Sequence, residues 1–463
     1  MSVGFHKWDR LPACHGEFDR LEAPPTFFFG DPKTISFPFH FLLFGVTCVN
    51  HFFNVTLLSL LLCGIAAAGE WPEFRGPGQQ GHSESRNLPL TWSETENVAW
   101  KVPVAGRGWS SPSIQGNQIW LTTATDEGKS LRALALDLQT GETLHDVEVF
   151  QVQSPGKVHA KNSHASPTAV IEGDRVYVHF GAHGTACLAT TGEIIWSHRD
   201  LPYNHVHGPG GSPIVYQDRL ILSCDGSDKQ FVVALDKHTG KVIWKTKRNH
   251  INEDRLSGKA SVPMAYTTPL LVSIAGTPQV LSNGSDSIVS YDPESGKELW
   301  WFRYDGYSNV ARPVAGKGHV FVSSGYNRPE FYAVRMDGNG DVTETHLSWS
   351  LKKGAPLNPS PLLVGDELYL ISDNGIATCL DAVSGEQHWQ ERIGGNFSAS
   401  PTYADGRIYL LDEAGKSTVI APGKRFEVLA TNQLEGRTLA SPAMVDEAIF
   451  LRTEKHLYRV QKP

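Results

Sequence analysis

A motif centred on proline recurs along this chain and limits the folds that it can adopt. The eight copies lie 40 to 56 residues apart. Each has a small residue before Pro and an apolar strand after it, with Arg replacing the small residue once; the copies are Ser111-Pro112, Ser166-Pro167, Ser212-Pro213, Thr268-Pro269, Arg312-Pro313, Ser360-Pro361, Ser400-Pro401 and Ser441-Pro442. A repeat of this length usually corresponds to one blade of a propeller.

Each copy continues as a pair of hairpins. A turn that carries Gly or Asp leads to a second, alternating strand, as at 173–179 and 365–370. The third and fourth strands flank a sharper signature of Asp, Thr or Ser, Gly and Trp, which occupies 234–244, 290–300 and 379–389. Asp can accept hydrogen bonds from the turn backbone, Gly can adopt the left-handed conformation, and Trp can pack on the neighbouring blade.

This signature resembles the tryptophan-docking repeat of pyrroloquinoline-quinone dehydrogenases and of the outer-membrane assembly lipoprotein of the β-barrel machinery, both eight-bladed propellers. The resemblance covers about residues 92–463. It implies an all-β fold, an eight-bladed β-propeller of four-stranded antiparallel blades. Departures are His145 and Leu188 in place of Trp and Asp, a longer turn before Trp349, and an incomplete motif in blades seven and eight. Terminal and ligand-facing repeats often diverge in this way.

Three segments are expected along the chain. Residues 1–70 form an export signal or anchor region with a partly mis-assigned start, 71–96 form a lead-in segment, and 97–463 form the propeller. The last repeat offers only three strands, so we expect the unpaired strand around Trp100 to complete it and remove an open sheet edge. The lead-in begins with Trp-Pro-Glu-Phe-Arg-Gly-Pro at 71–77, resembles the opening of a family of secreted propellers of unknown activity, and is expected to pack against the propeller exterior.

The N-terminal region predicts export. Residues 34–69 contain no Lys, Arg, Asp or Glu, and the apolar stretch 55–68 ends in small residues, as a signal peptide and its cleavage site do. An uncleaved membrane anchor is the alternative, since the run is long enough to cross a bilayer. A lipid anchor at Cys63 is disfavoured because Leu62 stands where a small residue is required. The protein is therefore expected in the periplasm, the cell envelope or the extracellular space.

Charge and cysteine content exclude further classes. The net charge of -8 does not suggest binding to nucleic acid or to anionic membranes. Membrane contact is expected only through the N-terminal segment, and the protein is expected to be a monomer. Cys187, Cys224 and Cys379 are odd in number and far apart, which favours buried thiols over disulfides.

Residues just before each Pro and just after each second strand converge on one mouth of a propeller's channel. The sequence places a polar funnel of candidate ligand-binding residues there. Its members are Trp109, Asn162, His164, His183, His207, Asp225, Asp228, Asn283, Asp286, Arg312, Tyr326, Asn327, Asp373, Asn374 and Arg452.

Histidines are densest in the first part of this funnel, since seven of the nineteen lie between residues 159 and 207. His164, His183, His207 and Asp225 form a candidate set of ligands for a divalent transition metal, because imidazole and carboxylate groups both bind such ions. Their spacing matches no local zinc signature. The competing interpretation is that these side chains bond loop backbones or an organic ligand.

A quinone cofactor is not expected. The calcium site of the quinone dehydrogenases is matched only in part, by Asp225, Asn283 and Asp286. The pair of adjacent cysteines that those enzymes often have near the cofactor is absent from this sequence. GxSxG, Walker and HExxH motifs are absent too, and so is a kinase lobe.

The leading functional hypothesis is a non-catalytic extracytoplasmic scaffold that binds protein or saccharide through the funnel or the blade edges, with no bound cofactor. One alternative is a metal- or quinone-dependent oxidoreductase centred on the histidine region. The other is an envelope-assembly factor similar to the outer-membrane lipoprotein. Propellers host many activities, so the fold alone does not decide among them.

Overall fold

The computed structural model describes residues 69–463. The export segment and Cys14, Cys48 and Cys63 therefore lie outside the described residues. Within residues 69–463 the chain forms eight antiparallel sheets, seven with four strands and one with five. The predicted eight-bladed β-propeller is confirmed.

The first four blades follow an initial strand, β1 (Val98–Pro103). Each blade runs outward from a short inner strand at the channel. Their strands are β2 (Ser113–Gln115), β3 (Gln118–Thr125), β4 (Ser130–Asp137) and β5 (Thr143–Gln151) in blade one; β6 (Val170–Glu172), β7 (Arg175–His179), β8 (Thr185–Ala189) and β9 (Ile194–His198) in blade two; β10 (Ile214–Tyr216), β11 (Arg219–Asp225), β12 (Gln230–Asp236) and β13 (Val242–Lys247) in blade three; and β14 (Leu270–Ile274), β15 (Thr277–Gly284), β16 (Ser287–Tyr291) and β17 (Glu298–Arg303) in blade four.

The last four blades repeat this plan. Their strands are β18 (Val314–Gly316), β19 (His319–Ser323), β20 (Phe331–Arg335) and, after the two-residue strand β21 (Gly340–Asp341), β22 (Leu347–Leu351) in blade five; β23 (Leu362–Val364), β24 (Glu367–Ile371), β25 (Ile376–Asp381) and β26 (Gln387–Arg392) in blade six; β27 (Thr402–Ala404), β28 (Arg407–Leu411), β29 (Lys416–Ile420) and β30 (Val428–Gln433) in blade seven; and β31 (Ala443–Val445), β32 (Ala448–Arg452) and β33 (His456–Gln461) in blade eight. β21 adds to the outer edge of blade four in parallel. Helical structure in the described part is limited to α1 (Glu253–Leu256) and three 3-10 turns, Pro77–Gln79, Asp126–Gly128 and Gly181–His183.

The first strand completes the last blade. β1 pairs antiparallel with β33, with Val98 opposite Val460 and Pro103 opposite His456. This pairing supplies the fourth strand of blade eight, so the beginning and the end of the propeller share one sheet. Such a joint leaves no open blade at which another strand could add.

The Asp and Gly of the repeat shape the turn between the third and fourth strands. In blade three, Asp236 Oδ1 accepts hydrogen bonds from the backbone N–H of His238 at 3.0 Å and of Thr239 at 2.8 Å. Gly240 has φ +71°, and a Cβ there would lie 2.5 Å from the ring of Trp196. Gly is therefore required both by the left-handed backbone and by the indole packed against it.

The Trp of most repeats docks on the turn of the next blade, whereas Trp300 Nε1 donates to Gln279 Oε1 of its own blade at 3.1 Å. Trp196 Nε1 donates to the carbonyl of Lys237 at 2.9 Å, and Trp244 Nε1 donates to that of Pro293 at 3.0 Å. Trp100 makes the same contact across the closure, where its Nε1 donates to Leu138 O at 3.3 Å. The same contact thus joins several neighbouring blades and also joins the last blade to the first.

Apolar clusters fill the spaces between blades. One of them combines Ile221 and Ala234 of blade three with Val280 and Val289 of blade four. The three cysteines of the propeller are free and buried, as the sequence predicted. In the described part of the chain, no helix has the length and apolarity needed to span a membrane.

The lead-in segment does not lie on the exterior, which corrects the expectation for its first part. Residues 71–83, here called the plug, cross one end of the central channel and bond to the inner strands of seven blades. Its partners are Ile114, Ile171, Leu271, Ala315, Leu363, Tyr403 and Met444. The edges of inner strands face the channel with unpaired backbone groups, and the plug satisfies them. Only the later part reaches an outer strand, where Trp92 N–H donates to Asn432 Oδ1 at 2.9 Å.

Candidate functional site

The channel is a cavity with a floor, here called the central well. Its volume is about 790 Å³, within the usual range for sites that bind small molecules. Phe74 of the plug lines its closed end, and four aromatic residues line it elsewhere. These are Trp109, Tyr266, Tyr307 and Tyr326. The plug therefore leaves one mouth for a ligand to enter.

Seven hydroxyl groups encircle the central well. Each belongs to the residue two positions before an inner strand, and we call the set the hydroxyl ring. Its members are Ser111, Thr168, Ser212, Thr268, Ser360, Ser400 and Ser441. All seven are at most 6% exposed. In blade two the ring residue is Thr168 rather than Ser166, because the Pro there stands two positions earlier.

The hydroxyl ring is held by one repeated hydrogen bond. The backbone N–H of each member donates to the hydroxyl of the next, as from Ser111 to Thr168 at 2.9 Å, and Ser441 closes the circle by donating to Ser111 at 3.1 Å. The chain is interrupted between Thr268 and Arg312, since arginine has no hydroxyl. Every ring oxygen is thus used as an acceptor, while its own proton has no acceptor among residues 69–463.

Two buried guanidinium groups lie beneath the hydroxyl ring. Arg312 donates to Phe74 O at 2.7 Å and to Pro269 O at 2.6 Å. Arg75 donates to Pro361 O at 2.8 Å. Pro269 and Pro361 directly follow Thr268 and Ser360 of the hydroxyl ring, so both guanidinium groups bond to the chain just below the ring. Burial lowers the pKa of Arg312 to about 10 and that of Arg75 to about 9.

The charge of Arg312 interacts with the carboxyl group of Glu73, which accepts hydrogen bonds from Gln79 Nε2 at 3.0 and 3.2 Å. Burial raises the pKa of Glu73, and the charge of Arg312 opposes that shift. The charge that acts on Arg75 is that of Arg312. With two guanidinium groups and one carboxyl group whose pKa is raised, the floor of the central well is electropositive.

A loop crosses the rim of the central well. Residues 154–163, here called the strap, bond to both sides of the mouth. Lys161 Nζ lies 2.8 Å from Glu413 Oε1 of blade seven, and Ala160 O accepts from Arg437 at 3.0 Å. On the other side, Asn162 Nδ2 donates to His207 O at 2.8 Å. The strap narrows the mouth without covering the floor, since Lys161 and Asn162 themselves line the cavity.

The structure brings only part of the predicted funnel to the central well. The members that line it are Trp109, Asn162, His207, Tyr326 and Asp373. His183 and Asp228 line a separate pocket of about 470 Å³ between the strap and the loop at 202–206. Asn327 and Asn374 are exposed and line neither cavity.

Other predicted site residues are structural. Both carboxylate oxygens of Asp225 are taken by Arg248, at 2.6 and 2.8 Å, in a fully buried ion pair. Asp286 is held in the same way by Arg255 at 2.8 Å. Arg452 is buried and donates to Ser110 O and Thr122 O, both at 3.0 Å.

Asn283 and Arg312 are likewise buried, and neither presents its polar end to the mouth. The Nδ2 group of Asn283 donates to Ala311 O at 3.4 Å, and the side chain is 0% exposed. The guanidinium of Arg312 points to the plug, as described above. These positions follow second strands or precede Pro, as predicted, but their side chains turn into the wall because buried polar groups need partners there.

The predicted metal set is not assembled. His164 lies beside His183, with ring centroids 6.3 Å apart, and His183 lies 5.1 Å from His205. His207 instead faces His159 at 5.5 Å, while Asp225 is bound to arginine. Among residues 69–463, no group of three His, Cys, Asp or Glu side chains has the arrangement of a metal site.

Burial, the largest cause in each case, lowers the pKa of His164, His183 and His207. It lowers that of His205 to about 4. These imidazoles are therefore neutral at neutral pH. His183 Nε2 lies 3.2 Å from Pro155 O, which agrees with the alternative interpretation that they bond loop backbones.

Known proteins share this repeat and fold. A family model described as "Outer membrane protein assembly factor BamB" matches residues 85–207, 228–369 and 337–456. The chain belongs to this family. The assembly factor BamB of Vibrio cholerae is 23% identical over 280 residues, which cover 51% of this chain and 69% of that protein.

Members of the wider repeat group include enzymes. The quinohemoprotein alcohol dehydrogenase ADH IIB of Pseudomonas putida is 25% identical over 397 residues, which cover 78% of this chain and 51% of that protein. The crystal structure of quinohemoprotein alcohol dehydrogenase from Comamonas testosteroni superposes with a TM-score of 0.63 at 12% identity, over 85% of this chain and 81% of that one. At that identity the likeness shows the fold alone.

A quinone with calcium is the cofactor that this wider group implies, and the residues suggested for it do not fit. Asp225 and Asp286 would have to supply free carboxylates, yet each is paired with a buried or nearly buried arginine. Releasing Asp225 would leave the guanidinium of Arg248 uncompensated in the interior, which is strongly unfavourable. The BamB-like fold is therefore shared without this ligand set.

The hydroxyl ring, Phe74 and most of the strap are not among the residues that the sequence predicts for the site. The signal for the ring was present, because Ser or Thr before Pro recurs in most copies, but it was interpreted only as the start of a strand. Phe74 could not be placed without knowing that the plug enters the channel.

Proposed function

We propose that this chain is an extracytoplasmic, non-catalytic binding protein whose central well holds the ligand. The observation that carries the proposal is the form of the cavity, which has a floor made by the plug, a ring of hydroxyl groups and a single mouth. Its aromatic side chains offer flat apolar surfaces, and its hydroxyls offer directed hydrogen bonds, as small-molecule sites commonly do.

The carboxylates near the central well support a role without catalysis. Asp373 accepts hydrogen bonds from Leu357 N–H at 2.7 Å and Asn358 N–H at 3.2 Å. Glu413 is held by Lys161 and by Ser398, whose hydroxyl donates at 2.8 Å. A general base must be able to reach a substrate proton, and these groups already serve the loops around the mouth.

Relatives named for the outer membrane support an extracytoplasmic setting, since this chain shares their repeat. Attachment to a membrane is a separate question that falls on the undescribed N-terminal residues. We expect secretion to the periplasm, the cell envelope or the medium, which fractionation of the native host would measure.

The test compares ligand occupancy in two Trp variants. Val310 lines the central well, so the larger indole of Val310→Trp takes up part of the space in which the ligand would lie. Val383 lies 54% exposed in an outer turn, and Val383→Trp is the matched control. Native mass spectrometry of protein from its own host should show a bound ligand on the wild type and on the control, and none on Val310→Trp, with circular dichroism showing that both variants fold.

Two results would overturn this proposal. One is a ligand that stays bound to Val310→Trp, which places the site elsewhere. The other is turnover of an alcohol by the protein with a bound quinone, which would make it an oxidoreductase.

A second candidate function, envelope assembly, is favoured by the family match. It predicts that outer-membrane barrel proteins purify together with this chain after cross-linking in cells. If the partner binds the blade edges rather than the central well, the same barrel proteins should purify with Val310→Trp as with the wild type.

A further inference from the structure

The hydroxyl ring presents seven O–H donors to the cavity. Each ring oxygen accepts one backbone N–H, at 2.9 to 3.1 Å, so it offers the cavity its proton and one remaining lone pair. Just below the ring, the carbonyls of Pro361 and Pro269 accept hydrogen bonds from Arg75 and Arg312. The lower part of the central well is thus lined by seven unpartnered O–H groups, each almost fully buried.

Matching of donors and acceptors selects the ligand group. An uncharged sugar hydroxyl can pair with the ring through its proton or through its oxygen, but each of those hydrogen bonds joins two neutral groups. An oxyanion has only acceptors, and its hydrogen bonds are the stronger, charge-assisted kind. The ring therefore favours a carboxylate, phosphate or sulfate over a neutral polyol.

The charges beneath the ring act in the same direction. Arg75 and Arg312 are both at most 2% exposed, and the carboxyl group of Glu73 interacts with Arg312. The terminal nitrogens of both guanidinium groups donate to backbone carbonyls, which does not neutralise their charge. A cation held in a poorly solvated interior attracts an anion across a short distance more strongly than a cation in water does.

The upper part of the central well indicates what carries the anion. Tyr266, Tyr307 and Tyr326 line it together with Trp109, and aromatic faces of this kind pack against the apolar faces of sugar rings. A peptide would need partners for its main chain, which other proteins obtain from open strand edges. Here the plug bonds to the inner strands of seven of the eight blades, with backbone hydrogen bonds to Ile114, Ile171 and Tyr403.

From these contacts we infer that the central well binds an acidic saccharide, with its anionic group on the hydroxyl ring above Phe74 and its sugar rings between the aromatic side chains of the mouth. This inference rests on the proposed function and specifies its ligand.

The experiment measures binding to the full chain by calorimetry with four defined probes. These are digalacturonate, the uncharged digalactose, inorganic phosphate and an acidic tetrapeptide. Digalacturonate should bind at least about tenfold more tightly than digalactose, since one charge-assisted hydrogen bond accounts for such a factor. Phosphate and the tetrapeptide should bind more weakly than digalacturonate.

Variants of one ring residue separate recognition from folding. Thr268→Val removes a hydroxyl next to the gap at Arg312 and should weaken digalacturonate at least about tenfold, while Thr268→Ser should retain most of the affinity. Thr402 is equally buried but does not line the cavity, so Thr402→Val controls for loss of a buried hydroxyl. Melting temperatures of all three show whether an effect on binding exceeds an effect on stability.

The outcomes are distinguishable. Digalactose binding as tightly as digalacturonate overturns the anionic assignment, and phosphate or the tetrapeptide binding as tightly overturns the saccharide assignment. If no probe binds, this inference is also overturned. The proposed function is decided independently, by whether the native ligand is absent from Val310→Trp in native mass spectrometry.

Discussion

Replacing Asp225 tests whether this residue belongs to the framework or to a binding site. In the structure its carboxylate forms two hydrogen bonds with Arg248, whose guanidinium also donates to Ser282 O at 3.1 Å and Ser282 Oγ at 2.7 Å. The side chains of the pair are 0% and 2% exposed. Asp225→Asn keeps the size of the side chain and removes its charge.

The expected loss follows from burial. Removing one partner of a buried ion pair leaves the other charge uncompensated and costs about 3 to 5 kcal/mol. A propeller of about 400 residues unfolds with an entropy of about 0.8 kcal/mol/K, so the melting temperature should fall by about 4 to 6 °C. Asp225→Leu with Arg248→Met removes both charges and should recover most of this loss.

Differential scanning calorimetry measures these shifts, with Asp228→Asn as the control because Asp228 is exposed. That control should change the melting temperature by less than about 1 °C. The reasoning is refuted if Asp225→Asn leaves the melting temperature unchanged and abolishes ligand binding, because that pattern belongs to a site residue.

Three further predictions concern acidification, the strap and the closure. Burial lowers the pKa of His179 to about 3, so between pH 6.5 and pH 3 the unfolded chain binds a proton at this residue that the folded chain does not. The free energy of unfolding should therefore fall by about 1.4 kcal/mol per pH unit on acidification. Urea titrations of His179→Gln should show a shallower fall. Lys161→Ala breaks the partly exposed pair with Glu413, so it should cost less than about 1 kcal/mol while speeding ligand release in stopped-flow traces; unchanged release contradicts the role of the strap. Trp100→Ala should destabilise the propeller by about 3 kcal/mol and raise hydrogen exchange in β33, whereas unchanged exchange there would contradict docking across the closure.

The fold could be predicted because its determinants are local and repeated. Asp236, Gly240 and Trp244 act within one turn or on the next blade, so a spacing in the sequence carries over directly into the structure. The presence of His145 in place of Trp in blade one does not disturb the packing of that position on the next turn. A Cβ on Gly192 of that turn would still lie 3.1 Å from the imidazole ring. Repetition also identified the eight blades without any knowledge of distant contacts.

The site was less accessible from the sequence, because position along a repeat does not fix the direction of a side chain. Asp225 and Asp228 are three residues apart at one end of β11, yet the first turns inward to Arg248 and the second reaches the surface. Long-range partners make this choice, and Arg248 lies in a different turn. Trp109 lies in the segment before the inner strand of blade one, and its side chain does line the central well.

The plug gives the propeller a property that the repeat alone does not. Eight inner strands around an axis leave a passage open at both ends, with strand edges exposed inside it. Residues 71–83 bond to those edges, so the same segment closes one end of the passage and provides hydrogen-bond partners for backbone groups of the inner strands. Because Phe74 ends the passage directly below the hydroxyl ring, anything that reaches the ring must pass the strap. If a ligand binds in the central well as proposed, we expect the strap to govern its rate of exchange and the floor to govern its affinity.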